Sequence, residues 1–407
     1  MDKKIVDYTL CSPDLCTGCM ACVNSCNHGA ISIGTDEKGF YRPVIHSENC
    51  INCGLCANVC PSLVQNLKCN SIIESYSCWN KDQNIRYQSS SGGFFSIIAQ
   101  KVINEGGIVF GTLFDSDLKA IVGATDKLEG LAALRGSKYV QSFVQANTYK
   151  LIRRELLKNR LVLFVGTSCQ IAGLKGFLKK EYDNLLTIDF LCHGVPSPLL
   201  FKRYLKEVEE RKNKKIIGFK FRDKKYSWRL FNIRICFNDH TDNIEIAREN
   251  SFFSLFLKNY ALNENCFHCV YAKNERVSDF TMADCWGRYD LNTRTKDNDK
   301  GISLVMLNTQ RAVEIFKLCA PQLEMNRLNL ELVKKRSSYL NHPSIKPVNY
   351  SLFWKEVADE TTINQLYEKF IPTKFDLDLQ LLRIRIKPST ILSRIIHKLL
   401  DKQLKKR

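Results

Sequence analysis

The sequence predicts an α+β / α/β chain in two parts, a small cysteine-rich module followed by a mixed-sheet α/β domain. Three observations carry that prediction. The eight cysteines of residues 16–60 fall into two copies of one spacing, Cys16, Cys19, Cys22 with Cys26, and Cys50, Cys53, Cys56 with Cys60-Pro61. From residue 147 short apolar runs alternate with amphipathic stretches, the pattern of parallel strands joined by helical crossovers. A chain of 407 residues is also long enough for two or three domains, each burying its own core.

The doubled run has the bacterial ferredoxin spacing, in which three thiolates of each copy hold one cubane and the fourth crosses to the other. Cys16, Cys19, Cys22 and Cys60 are assigned to one 4Fe-4S centre, and Cys50, Cys53, Cys56 and Cys26 to its partner. Zinc needs only four sulfurs per tetrahedral site and no doubled run. Asn27 stands where the pattern usually has proline, which removes no ligand. Residues 1–75 are therefore expected to form a bacterial-ferredoxin-like dicluster module.

Residues 75–91 read as polar connecting sequence before a second domain. Ser91-Gly92-Gly93 leads into an amphipathic helix that Gly106-Gly107 closes, and 107–114 and 118–124 read as strands. Next come a helix at 149–158, a strand at 161–165, a helix at 170–179, a strand at 185–191 and a helix at 199–211. Stretches 216–221 and 228–237 look antiparallel, and 302–308 is a strand before a helix. The expected parts are 76–160 and 161–345, followed by an irregular tail at 346–407. That tail ends in a basic amphipathic helix around Ile391, Ile395 and Leu399, suited to an anionic membrane surface, an acidic partner, or plain solvation.

The formal charge is +18, yet residues 1–80 hold five basic against seven acidic side chains, so the excess lies downstream. Four thiolates around a two-plus cubane core carry roughly −2 per cluster, which lowers the basicity of the loaded protein. No apolar stretch reaches the roughly 20 residues of a membrane-spanning helix. Reduced thiolates, with no signal peptide before them, predict a cytoplasmic setting. Nucleic-acid binding through the basic tail has little motif support.

A third metal site is expected outside the ferredoxin module. Cys169 follows one predicted strand and Cys192 the next, and parallel strands ending on one sheet edge bring their following loops together. Cys266 and Cys269 add a CxxC pair, giving four sulfurs. Structural zinc and reduced core cysteines are the alternatives at this site. Three loops suit a phosphate-bearing cofactor: Ser91-Gly92-Gly93 before a helix N-terminus, the Gly136–Tyr139 turn with Lys138, and the basic Arg222–Lys225 loop with Trp228 nearby.

The matching stretches, among them Ser91-Gly92-Gly93-Phe94, Gly136-Ser137-Lys138-Tyr139, Gly166-Thr167-Ser168-Cys169-Gln170, Cys192-His193-Gly194, Phe221-Arg222-Asp223-Lys224, Cys266 to Cys269 and Asp284-Cys285-Trp286-Gly287, make the chain resemble the beta subunit of the coenzyme F420 hydrogenase/dehydrogenase family from about residue 80 to 335. The resemblance implies a mixed-sheet α/β flavin and iron-sulfur domain with FAD and a flavin-proximal cubane on Cys169, Cys192, Cys266 and Cys269. It implies that Ser91, Gly92, Gly93, Lys138, Gly166, Thr167, Arg222 and Lys224 line the flavin pocket. Ser168 replaces the family's proline, and Cys285 its aromatic residue. Bacterial relatives are often associated with cell-surface polysaccharide synthesis.

The expectation is an oxidoreductase with three 4Fe-4S clusters and FAD, passing electrons to a deazaflavin such as coenzyme F420 or another hydride acceptor. Its partner would be a redox protein or a small-molecule hydride carrier. A relay subunit that docks an acidic redox partner is the alternative. No catalytic residue is assigned from the sequence.

Overall fold

The computed structural model describes residues 10–64, 67–286, 299–359 and 361–371. The cysteine module is a short frame of α1 (Ala21–Ser25), an antiparallel pair β1 (Ile31–Thr35) and β2 (Tyr41–Ile45), and α2 (Leu55–Asn58). Its two runs repeat one backbone shape. The residues flanking the middle cysteine are left-handed in both, Gly18 and Met20 at φ 69° and 60°, Asn52 and Gly54 at 55° and 71°. Such turns aim successive backbone N–H groups inward. Glycine adopts them freely, whereas Met20 and Asn52 each carry a cost of about 1–2 kcal/mol that the surrounding loop must offset.

Then follow β3 (Glu74–Asn80), α3 (Gln83–Gln88), α4 (Phe94–Asn104), β4 (Ile108–Phe114), β5 (Ala120–Thr125), α5 (Leu131–Leu134), α6 (Thr148–Leu157), β6 (Val162–Val165), α7 (Ser168–Leu178), β7 (Leu185–Phe190) and α8 (Pro198–Lys212). Next are β8 (Ile216–Asp223), β9 (Asn232–Phe237), β10 (Asp242–Ile246), α9 (Ser251–Leu257), β11 (Phe280–Asp284), β12 (Ser303–Leu307), α10 (Gln310–Cys319), β13 (Leu323–Arg327), α11 (Leu330–Arg336), α12 (Tyr350–Ala358) and α13 (Ile363–Phe370).

Eight strands make one mixed sheet in the order β13-β3-β12-β11-β7-β6-β4-β5. Its centre, β11-β7-β6-β4, is parallel, and both flanks are antiparallel. Both faces are covered, which is why β6 is an unbroken apolar run. Val162 and Phe164 pack toward α6, α7 and the cysteine module, while Leu163 and Val165 pack toward α4 and α10. A second sheet, β10-β9-β8, packs with α8 and α9 in a phenylalanine-rich cluster.

Two expectations fail. Residues 75–91 are not a connector: β3 lies between β12 and β13 inside the main sheet. Its buried positions include Ser75, Ser77, Cys78 and Asn80, so polar residues inside the sheet gave a linker-like composition. Residues 346–371 are not irregular, because α12 and α13 bury Phe353, Val357, Ile363 and Leu366 in the phenylalanine-rich cluster. The basic helix expected near Ile391 lies outside the described residues.

The cysteine module is docked tightly onto the domain. Ser197 caps α8 by accepting from the Leu199 and Leu200 N–H groups, and its hydroxyl donates to the Lys38 carbonyl at 2.5 Å. A Cβ on Gly39 would sit 2.2 Å from Leu199 Cβ, so only glycine permits this approach.

Candidate metal and cofactor site

The first cysteine set sits in one cavity lined by Cys16, Cys19, Cys22 and Cys60, so the last residue of the second run lies beside the first. All four are buried. Cys11, which belongs to neither run, lines the same cavity. Its thiol donates toward Cys16 and Cys60, which pulls Cys16 down to about 7 against burial and Cys60 down to about 6, while Cys11 itself rises. A thiol that donates to two thiolates stabilises their charged, metal-binding form. No spacing rule flags it, because the ferredoxin run begins five positions later.

The second set is more open. Cys53 is exposed, and Cys50, Cys56 and Cys26 are half-buried. Burial raises the Cys56 thiol, with Cys50 and Cys53 close enough to add to the effect. Cys26 ends α1 and Cys56 lies on α2, and both thiols pack on the same apolar cluster.

The third set forms where the β6 and β7 chains leave the sheet. Cys169, Cys192, Cys266 and Cys269 line one cavity, about 550 Å³ of non-protein space open to solvent. Thr167 Oγ1 lies 3.1 Å from Cys169 Sγ, and the Val195 N–H donates to Cys266 Sγ at 3.4 Å. Burial pushes Cys169 and Cys192 up to about 12 and Cys266 well above its ordinary value. Four half-buried thiols whose ionisation is opposed by desolvation ionise together only against a cationic core. A zinc ion bonded at about 2.3 Å would require sulfurs about 3.8 Å apart. Among the described residues no group of three His, Cys, Asp or Glu side chains is arranged to hold a single metal ion.

An ion pair behind the cavity fastens its walls. Arg276 is 2% exposed and Asp189 0%, and their Nη2 and Oδ2 lie 2.6 Å apart. Arg276 Nη2 also reaches Ser168 Oγ at 2.8 Å, Nη1 donates to the carbonyls of Tyr271 and Lys273 at 2.9 and 3.2 Å, and Nε donates to Thr281 at 3.2 Å. Ser168 in turn donates to Asp189 at 2.7 Å. One guanidinium thereby ties the segments bearing Cys169, Cys192 and Cys269 together. Ser168 joins this network through its hydroxyl. The sequence signal was Asp189, a charge inside the otherwise apolar run 185–191. His193 has both ring nitrogens engaged, Nε2 with the Phe256 carbonyl at 3.3 Å and Nδ1 with the Tyr339 hydroxyl.

The residues expected to meet a flavin gather on the same sheet edge. Gly92 N–H donates to Ser303 Oγ at 3.0 Å, and Ser303 pairs with Asp284 at the end of β11. Asp284 holds Arg222 at 2.6 Å. Along the edge the order is therefore the Ser91-Gly92-Gly93 loop, Asp284 with Arg222, Cys192, and the Gly166-Thr167-Cys169 turn. The cations, however, are already engaged. Lys224 Nζ donates to the Arg86, Ser91 and Lys300 carbonyls at 2.5, 2.9 and 2.8 Å. Lys138 Nζ donates to the Ala133 and Arg135 carbonyls at 2.8 and 2.9 Å. Burial lowers both lysines to about 7, with Arg86 and Arg222 adding to the effect on Lys224. Against burial, Asp284 and Tyr139 hold Arg222 above its usual value, while its buried Nε has no partner. Trp286 stacks on Trp228 at 4.3 Å, beside Arg222. The row thus offers shape, an aromatic face and two free buried donors, Arg222 Nε and Trp228 Nε1, but no uncommitted lysine for a phosphate among the described residues expected to meet it.

Residues 159–331 match the family described as the C terminus of the coenzyme F420 hydrogenase/dehydrogenase beta subunit, and residues 15–64 match the 4Fe-4S dicluster domain. No curated protein matches the chain. A solved structure described as xenon derivatization of the F420-reducing NiFe hydrogenase complex from Methanosarcina barkeri is similar at 16% identity and a TM-score of 0.44, over 74% of this chain and 91% of that one.

Proposed function

We propose, for a chain that joins a 4Fe-4S dicluster domain to the C-terminal domain of the coenzyme F420 hydrogenase/dehydrogenase beta-subunit family, that it is an iron-sulfur flavoprotein oxidoreductase with three 4Fe-4S clusters and FAD. The observation that carries the reading is the cavity shared by Cys169, Cys192, Cys266 and Cys269 on the sheet edge where the expected flavin loops also gather. Bound there, a flavin supplies the exchange between single electrons and a hydride. The chain's own part is to hold thiolates and loops in register. Arg276 and Asp189 fix the cavity walls, Asp284 aims Arg222 along the edge, and Trp286 offers a ring face. The acceptor would be a deazaflavin or another hydride carrier, and the electron donor a redox protein.

The engaged state of Lys138, Lys224 and Arg222 favours a second reading, an electron relay that carries clusters without flavin. Anaerobic purification with iron, sulfide, zinc and flavin quantified per chain separates the two. The enzyme reading expects about twelve irons, no zinc and one FAD, with turnover of a hydride acceptor by the isolated chain. About twelve irons without flavin supports the relay, and about eight irons with zinc removes the third cubane from both.

A further inference from the structure

We propose that the third cysteine set is wired to the first ferredoxin set through the contact of Cys19 with α7, and that the second set is the outward terminal of the relay. This rests on the iron-sulfur reading of all three sets. Cys169 is the second residue of α7, and Gly173 lies one turn further along on the same helix face. A Cβ on Gly173 would lie 2.8 Å from both Cys19 Cβ and Cys19 Sγ. Cys19 therefore rests directly on the helix that carries Cys169, and with about 5.4 Å per helical turn the two thiols are on the order of 10 Å apart.

Two further ties hold this junction. The buried Tyr149 hydroxyl lies 2.8 Å from the Cys19 carbonyl and 3.1 Å from the Gln170 carbonyl, so its proton is shared between the cysteine loop and α7. Arg42 donates to the Cys16 carbonyl at 2.9 Å and to Asn263 Oδ1 at 2.7 Å, joining the first set's loop to the segment that leads into Cys266. Thr17, between Cys16 and Cys19, itself lines the third cavity.

Among the described residues none from the 50–56 loop lines the third cavity, and Cys53 is exposed. The order is then second set, first set, third set. In each step one electron leaves one set and arrives at the next, so one is oxidised as the other is reduced, with no covalent bond changed and no proton moved. A one-electron reductant from outside supplies the second set, and the third set passes single electrons on; delivery of a hydride beyond it would take two such electrons and one proton, combined on the flavin of the proposed function.

Electron paramagnetic resonance of the dithionite-reduced, iron-loaded full chain tests the wiring. The third centre's signal should be split by spin coupling to the first set. Cys53→Ala/Cys56→Ala, which removes the second set, should leave that splitting intact, whereas Cys19→Ala/Cys22→Ala should collapse it. Gly173→Val should push Cys19 off α7, weaken the splitting and slow reduction of the third site at least tenfold in stopped-flow, with iron unchanged. If the first-set deletion does not accumulate, Gly173→Val and Tyr149→Phe supply the comparison, the latter expected to slow the same step severalfold. Splitting that disappears with the second set, or survives loss of the first or a fully iron-loaded Gly173→Val, overturns the wiring. An unmutated chain with only about eight irons sinks the three-cluster reading instead, and the wiring with it.

Discussion

The two halves of the chain gather thiols by different means. Cys16, Cys19 and Cys22 come from one loop and the helix that follows, with left-handed residues at matching places in both runs curling the backbone around its centre. Cys169, Cys192 and the Cys266–Cys269 pair come from two strand ends and a 3-10 turn, spread over 101 positions. In the first half the ligand geometry is a property of a short peptide. In the second it belongs to a parallel sheet, whose edge sets the loops side by side, and to Arg276, which ties them. A local run should therefore tolerate distant damage, whereas the scattered set should fail when the sheet edge or its ion pair is disturbed.

That contrast can be broken most sharply by Cys192→Ala. Iron should fall from about twelve to about eight per chain, and hydride-acceptor turnover should drop at least about 100-fold, measured by iron analysis and steady-state assay. Arg276→Met leaves Asp189 buried without its partner. The expected loss is about 3–5 kcal/mol in denaturant unfolding, with third-site iron lost before ferredoxin iron. Equal loss from all sets would show that the ion pair supports the whole fold and not the scattered site.

Ser168→Ala removes one hydroxyl from the same network and should cost about 1–2 kcal/mol, with full iron retained. The smallest effect belongs to the compact half. Cys11→Ala deletes the thiol that donates to Cys16 and Cys60. Worth about 1 kcal/mol, its loss should lower the potential of that cluster by a few tens of millivolts in a redox titration, leaving its iron count unchanged. Loss of iron there would make Cys11 a ligand in place of a donor.

Much of the parallel core was legible. The apolar runs at 161–165 and 185–191 and the helices after them appear within a few residues of their expected ends, because a strand covered on both faces must be apolar throughout. β3 was misread because a strand that buries serine, cysteine and asparagine loses the alternation that marks strands. Helices α12 and α13 were missed although they pack on each other, Phe353 against Phe370 at 5.3 Å, because the pair is fixed in place by distant phenylalanines that the local sequence does not show. At the site, the cysteines were visible by residue type and position. Arg276, Cys11 and Tyr149 were not, since each matters only for what it touches.

Sequence by itself determined which thiols are candidate ligands and set the expected grouping of the first eight, because ligation within a short run depends on spacing that the chain carries locally. Only the tertiary structure decided that Cys169, Cys192, Cys266 and Cys269 share a cavity, and that Cys19 lies against the helix bearing Cys169. It also showed that the lysines expected to reach a flavin are held by backbone carbonyls. Those facts depend on which strands pair and which surfaces come close enough to exclude even a methyl group. Long-range contacts of that kind leave no periodicity in the chain that makes them.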